Sequence, residues 1–423
     1  MRKVKYTLNS GKCLKYELAE WTPEGYVIIT PAGNQADRKS AQLLADFYKD
    51  KGFDLTVADD TAPETEKEIL VGETSRIQRE KALKEGMVLS CFEGEKLLIT
   101  GGHYVTVNSA VQRFIRLCKE EFIPLFSENT DFQSVKPGGY QYVWGDEFEG
   151  TEFDLTKWCF EARMGGTEEI KVAYDKDVIK MYDGHATLRA MSYSDPEDPK
   201  VKYKVPRSLC TLFTMNYDYG YAEIRAKVPY STGAWPSFWA TTACNISGKR
   251  NMQWHGEIDC FEVFGSHFKA IPNIHKWYDQ FDYNTVYETG TTQKAHFQYP
   301  EYRKPLWEWE NIDTINDEWH TYGFEKTETA VNFYIDGKYY GYCDIVNTFD
   351  EHEDMSVFQD PIYLIMNNHV FADDSGFRPN LISDVLGRLP SDYHIDWVRL
   401  YMKPDKGTIY LDETPGDYPL RKV

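Results

Sequence analysis

Positive charge is what this chain has least of. It holds 47 Lys and Arg against 67 Asp and Glu, a net charge of −20. An anionic surface repels nucleic acid and anionic membranes, so neither is an expected partner. No stretch approaches the ~18 apolar residues of a membrane helix. The start, MRKVKYTLNSGKCLKYELAEW, has basic residues but no apolar run of signal-peptide length, and as written it implies a cytoplasmic protein. The eight cysteines are scattered, with no CxxC and no tight His/Cys cluster, so neither zinc nor a redox motif is indicated. There is no GxGxxG, no P-loop, no internal repeat and no low-complexity segment. Gly101 and Gly102 before a helix read as turn residues rather than a phosphate cradle.

What the chain does have is aromatic: 30 Tyr, 23 Phe and 11 Trp. Its 423 residues suffice for two or three domains. Residues 1–133 read as a separate α/β domain. YVIITPAG (26–33), FDLTVADD (53–60) and KEILVGET (67–74) are expected strands, and 87–102 is an expected hairpin. Helices are expected over 37–51, with Asp37 as N-cap, over 75–85, and over 104–121, where apolar residues recur at helical spacing. The polar stretch SENTDFQSVKPGG (127–139) serves as linker. From Tyr140 helical periodicity nearly vanishes, and short β-rich runs with Gly, Pro, Asn and Asp turns take over. Many short antiparallel strands imply a sandwich. The IDGK turn after NFY is a hairpin signal. Residues 404–423 form a polar tail.

One run stands out: GEIDCFEVFG (256–265). Glu257, Asp259 and Glu262 lie among Ile258, Phe261, Val263 and Phe264, the composition of a buried strand. Alternation puts Glu257 and Asp259 on one face. Glu262 is five residues from Glu257, an odd offset, so a regular strand points it away. One extra residue bulged out near Cys260–Phe261 brings all three acids to one face. Two carboxyls in different protonation states suit the double displacement of a retaining glycosidase, and a third orients the nucleophile. The alternatives are a calcium site or an acidic surface strand. Calcium favours loops with carbonyl ligands, and surface strands rarely carry so many apolar residues.

GEIDCFEVFG resembles the Glu-x-Asp-x-x-Glu active-site strand of glycoside hydrolase family 16, in the bulged version of laminarinases, agarases and carrageenases. YVWGDEFEGTEFDLTKW (142–158), YGYAEIRAKVPYSTGAWPSFWAT (219–241), DEWHTYGFEKTETAVNFYIDGK (317–338) and HIDWVRLYM (394–402) resemble other segments of the family, in its order. The resemblance implies a concanavalin A-like jelly roll over 134–403. It makes Glu257 the nucleophile, Glu262 the acid/base and Asp259 the helper. It implies an endo-acting retaining β-glycosidase, a polysaccharide or oligosaccharide as partner, and no cofactor for catalysis. A β-1,3- or mixed-linkage glucan is the expected substrate. β-Galactan cleavage and glycan binding without catalysis are the rivals. The net charge favours a neutral polymer over a sulfated one. The N-terminal half is similar to the small α/β domain ahead of other glycoside hydrolases, including family 20 hexosaminidases.

Around the acids, Trp235 and Trp239 in GAWPSFW are an even offset apart and face one way if extended. Core and sugar platform are both open readings for each, and the resemblance turns Trp235 toward the cleft. Trp254 precedes the acids in WHGEID, a departure from the laminarinase pattern, where Trp-Pro sits further ahead. His275 and Trp277 in NIHKWYD fall on the expected neighbouring strand, His275 as structural residue or as partner of a carboxyl or sugar. Asn367, with Asn368 and His369, ends an apolar run and offers a sugar contact or a turn. Arg225 is expected to pair with a carboxylate. By resemblance alone, Glu147, the Gly184 carbonyl and Asp396 match the ligands of a structural calcium ion.

Overall fold

The computed structural model describes residues 2–9, 12–20, 22–76, 88–93, 95–101, 104–119, 139–161, 168–182, 184–229, 234–242, 254–263, 270–278, 295–298, 318–346, 355–370, 389–403 and 406–411. The chain forms two compact units. One holds residues 1–151 with 398–405, the other 152–397 with 406–423.

In the first unit a five-stranded sheet runs in the order Val57–Asp59, Val27–Thr30, Glu68–Val71, Lys96–Gly101, Val88–Glu93. The first four strands are parallel and the last closes an antiparallel hairpin, as the 87–102 pattern implies. Ala41, Leu44 and Tyr48 from one helix and Val107, Val111 and Phe114 from another bury against Ile28, Ile69 and Ile99. An additional hairpin pairs Arg2–Asn9 with Lys12–Glu20. The first helix is Gln35–Asp50, and its N-cap is Asn34 rather than Asp37. The Asp37 amide donates to Asn34 Oδ1 at 3.0 Å, and Asn34 Nδ2 donates to Asp37 Oδ2 at 2.8 Å. That reciprocal pair satisfies a helix-start donor, and moves the cap three residues upstream of the acidic residue. The expected helix over 75–85 and the linker over 127–139 lie largely outside the described residues.

The first unit runs to residue 151 and takes in 398–405. The strand Gln141–Asp146 pairs with residues 398–402 of the long strand Ser391–Met402. The helix Tyr104–Lys119 holds it from the other side: Ser109 Oγ donates to the Gly145 carbonyl at 2.8 Å, and the Glu147 amide donates to Gln112 Oε1 at 2.9 Å. These bonds join residues over thirty positions apart, which no local pattern discloses.

The second unit is a sandwich of two largely antiparallel sheets. One runs Ala295–Gln298, Ala270–Tyr278, Trp254–Val263, Ala234–Thr242, Ile362–Val370, Ser208–Cys210, Cys159–Glu161. The other runs Ile170–Ala173, Tyr203–Pro206, His185–Ser192, Ser391–Met402, Gly220–Lys227, Trp319–Lys326, Ala330–Ile335, Lys338–Asp344. Phe238 and Phe261 of the first sheet meet Phe324, Tyr322 and Tyr393 of the second, with ring centroids 4.5–6.2 Å apart. The IDGK hairpin is present, and Asp336 and Gly337 both have positive φ, 44° and 69°. Two such residues in succession are what a type I′ turn requires. Within 404–423, Ile409–Leu411 pairs with Met215–Tyr217.

Candidate active site

The site is built on Trp254–Val263, the acid strand. On one side it pairs Glu262 with Ser237, Phe261 with Phe238, and Asp259 with Trp239. Two residues of the neighbour there match three of the acid strand, so Cys260 is the extra residue. The other neighbour shows the same shift, from Asp259↔Asn273 to Glu262↔Ile271. This bulge restores the phase that the five-residue offset breaks, and Glu257, Asp259 and Glu262 share one face. Ile258 and Phe261 turn the other way and are wholly buried. Cys260 is buried as well, and burial pushes its thiol well above the ordinary range. It is a packing residue, not a nucleophile.

Register extends this acid face across the sheet. His275 lies opposite Glu257 and Asn273 opposite Asp259. Beyond the acids come Thr241, Trp239, Ser237 and Trp235, then Tyr363, Ile365, Asn367 and His369. Trp235 is half-buried and its indole N–H donates to Glu262 Oε1 at 3.0 Å. Trp239 is 6% exposed, and its N–H donates at 2.8 Å to Asn367 Oδ1. The even spacing therefore placed both indoles on one face, with different tasks. Trp235 braces a carboxylate, whereas Trp239 packs in a cluster with Tyr363 and Ile365. Asn367 also accepts from Ser237 Oγ at 2.8 Å and donates to the Trp235 carbonyl at 3.2 Å. Ser237 was not anticipated; the alternation of residues 235, 237, 239 and 241 was the available signal.

Asp259 is 2% exposed, and His275 Nε2 lies 2.9 Å from its Oδ2. Asn368 turns away from this face and ties the sheets together. Its Nδ2 donates to the carbonyls of Leu188 and Ser391, both at 2.9 Å. His369 Nδ1 lies 2.8 Å from the Val370 carbonyl. The side chains of Trp254 and Trp277 lie outside the described residues.

The two carboxylates named for calcium each meet an arginine. Glu147 takes Arg399 in a two-pronged pair, 2.8 and 2.9 Å, with both side chains wholly buried. Burial pushes the Glu147 carboxyl up, but Arg399 and Arg113 outweigh it and hold the group below its usual range. Asp396 is paired with Arg225, the partner expected for that arginine. Among the described residues, the three whose ligand atoms gather within 4.8 Å are Glu257, Asp259 and His275.

A two-sheet sandwich with three carboxylates on one face of a bulged strand, one braced by an indole, is a jelly roll carrying the acid pattern of the glycoside hydrolase class. Residues 142–403 match the model of the glycoside hydrolase family 16 domain of β-porphyranases A–D, and the chain belongs to that family. It is 27% identical over 284 residues to the glucan endo-1,3-β-glucosidase A1 of Niallia circulans, covering 62% of this chain and 38% of that protein. It is 24% identical over 277 residues to a β-glucanase of Rhodothermus marinus, covering 64% and 87%. Among solved structures, the laminarinase catalytic domain of Thermotoga maritima matches 62% of this chain and 98% of its own at 23% identity, with a TM-score of 0.44.

Proposed function

We propose that the chain is an endo-acting, retaining β-glycosidase, with Glu257 as nucleophile and Glu262 as acid/base. One observation supports this above others: the bulge at Cys260 sets Glu262 on the same face as Glu257. Retention needs two carboxyls that flank the scissile bond, about 5–5.5 Å apart. Glu262 gives its proton to the leaving oxygen while Glu257 attacks the anomeric carbon. Glu262, now ionised, then takes a proton from water, which displaces Glu257 and frees the sugar. The Trp235 N–H fixes the orientation of Glu262 through both steps. Asp259, held by His275, orients its neighbours within a nearly dry stretch of the strand.

A β-1,3- or mixed-linkage glucan is the substrate we favour. The names of the two curated relatives support it. So does the net charge of −20, which disfavours a sulfated polymer. A β-galactan is the second reading, supported by the porphyranase description of the matched family. Incubation with laminarin, lichenan and β-galactans separates them by the reducing ends released. Glu257→Ala is expected to lose turnover while remaining folded, and azide is expected to restore it, giving a glycosyl azide of inverted configuration. Unchanged activity in that variant, or no cleavage of any β-glycan by the parent, would overturn the reading.

A further inference from the structure

The sulfur atoms of Cys159 and Cys210 are 3.2 Å apart. The two residues face each other directly on the adjacent antiparallel strands Cys159–Glu161 and Ser208–Cys210. Opposed antiparallel positions have Cα atoms about 4.5–5.5 Å apart, inside the roughly 4.4–6.8 Å that a disulfide spans. The bond needs an S–S distance of about 2.05 Å, so the sulfurs must close by ~1 Å, within reach of small side-chain rotations.

The pair is also well placed. Cys210 lies opposite Ile365, Ile365 opposite Trp239, and Trp239 opposite Asp259, so the thiols sit on the acid face. Both pack in one cluster with Trp239, Tyr363 and Ile365. Cys159–Glu161 is the last strand of its sheet. Nothing in the proposed chemistry uses either sulfur.

We propose that Cys159 and Cys210 close an intrachain disulfide that staples this edge strand to its neighbour and supports the packing around Trp239. The oxidant is a small-molecule disulfide such as oxidised glutathione. One cysteine thiolate attacks it, forming a mixed disulfide and releasing one small thiolate. The second cysteine thiolate displaces the other. Two electrons pass to the reagent's sulfurs, and its two thiols leave with both protons. Burial sets the timing. Cys210 is wholly buried and Cys159 is 6% exposed. Burial also pushes the Cys210 thiol well above its ordinary value, so the attacking thiolate is scarce once the chain has folded. The bond therefore forms during folding and is shielded afterwards. It joins residues 51 apart and stabilises chiefly by restricting the unfolded chain.

The full chain is unfolded, refolded in a glutathione redox buffer or in dithiothreitol, alkylated under denaturing conditions and mapped by peptide mass. Oxidative refolding is expected to yield one linked peptide pair, 159 with 210, with Cys118, Cys260 and Cys343 still alkylated. The oxidised protein is expected to melt several degrees higher than the reduced one. That gain disappears on reduction and is missing from the Cys159→Ala/Cys210→Ala variant. Full alkylation of both cysteines after oxidative refolding, linkage to other cysteines, or a link that leaves the melting temperature unmoved would overturn the staple. None of these readouts depends on whether the chain cleaves a glycan.

Discussion

His275 Nε2 stands 2.9 Å from Asp259 Oδ2, and both side chains lie almost wholly inside the protein. A buried carboxylate needs a partner, and this one shares a strand with both proposed catalytic glutamates. Removing the imidazole takes its ring nitrogen away from a buried carboxylate oxygen. Losing the partner of a buried charged group costs about 1.5–3 kcal/mol. His275→Ala should therefore lower kcat/KM by ~10- to 150-fold if the loss falls on the transition state. His275→Gln, which offers a donor again, should recover part of it. Steady-state kinetics on protein of native circular dichroism checks this. Equal activity in all three proteins would show that the pair is only structural.

Trp235 has two parts with separable roles. Its side chain is partly exposed on the acid face, and its N–H holds Glu262 Oε1 at 3.0 Å. Trp235→Phe keeps a flat apolar ring and deletes the donor. Glu262 loses orientation, while most of the ring surface remains for a sugar. The expected outcome is a fall in kcat of about tenfold with KM changed by less than about threefold. A change confined to KM would instead mark Trp235 as a sugar platform alone.

What could be read in advance follows from how local each cause is. The bulge was legible because an odd offset between two acids, inside an apolar run, conflicts with a regular strand. The conflict can be relieved at very few positions, and Cys260 is one of them. The hairpin at Asp336–Gly337 was legible because few residues tolerate successive positive φ. By contrast, the Glu147–Arg399 pair joins positions 252 apart, and its rows of sequence carry no trace of each other. The same holds for Ser109 on Gly145, which draws the strand Gln141–Asp146 into the first unit. Cys159 and Cys210 looked merely scattered, because only sheet order makes them neighbours. Asp37 was misread as a cap since Asn34 and Asp37 are both good capping residues, and only the backbone shows which bond closes the turn.

Asn368 gives a stability test that leaves the acid face untouched. Its side chain bonds two buried carbonyls of the facing sheet, those of Leu188 and Ser391. Asn368→Ala removes both bonds and opens a small void. An unsatisfied buried polar group costs about 1–3 kcal/mol, so the loss should be roughly 2–5 kcal/mol. Thermal melting should fall by about 4–20 °C at ~2–4 °C per kcal/mol. A shift under ~2 °C would mean that the sheets hold together without this tie.

The two units should respond to pH with opposite signs, through one buried group each. In the first unit, burial pushes the Asp37 carboxyl from 3.8 up to about 7, with Glu73 adding to the shift. A raised acid keeps its proton in the folded state after the unfolded chain has released it. Stability is fully present below about pH 4 and is lost as pH rises through 7. In the second unit, burial pulls the Lys326 ammonium from 10.5 down to about 7, against Asp218 and Asp360. Its Nζ donates to the carbonyls of those same two residues. Here the unfolded chain holds the extra proton between 7 and 10.5, so stability rises across that window. Each slope is at most about 1.4 kcal/mol per pH unit, the value for one proton. Native-state hydrogen exchange, corrected for the intrinsic pH dependence, reads each unit through its own peptides. Protection in Gln35–Asp50 should fall from pH 5 to 7 in the parent and stay level in Asp37→Asn. Protection in Trp319–Lys326 should rise from pH 7.5 to 9.5 in the parent and stay level in Lys326→Met. Slopes of the same sign in both segments, or slopes that survive the substitutions, would mean that other groups govern the response.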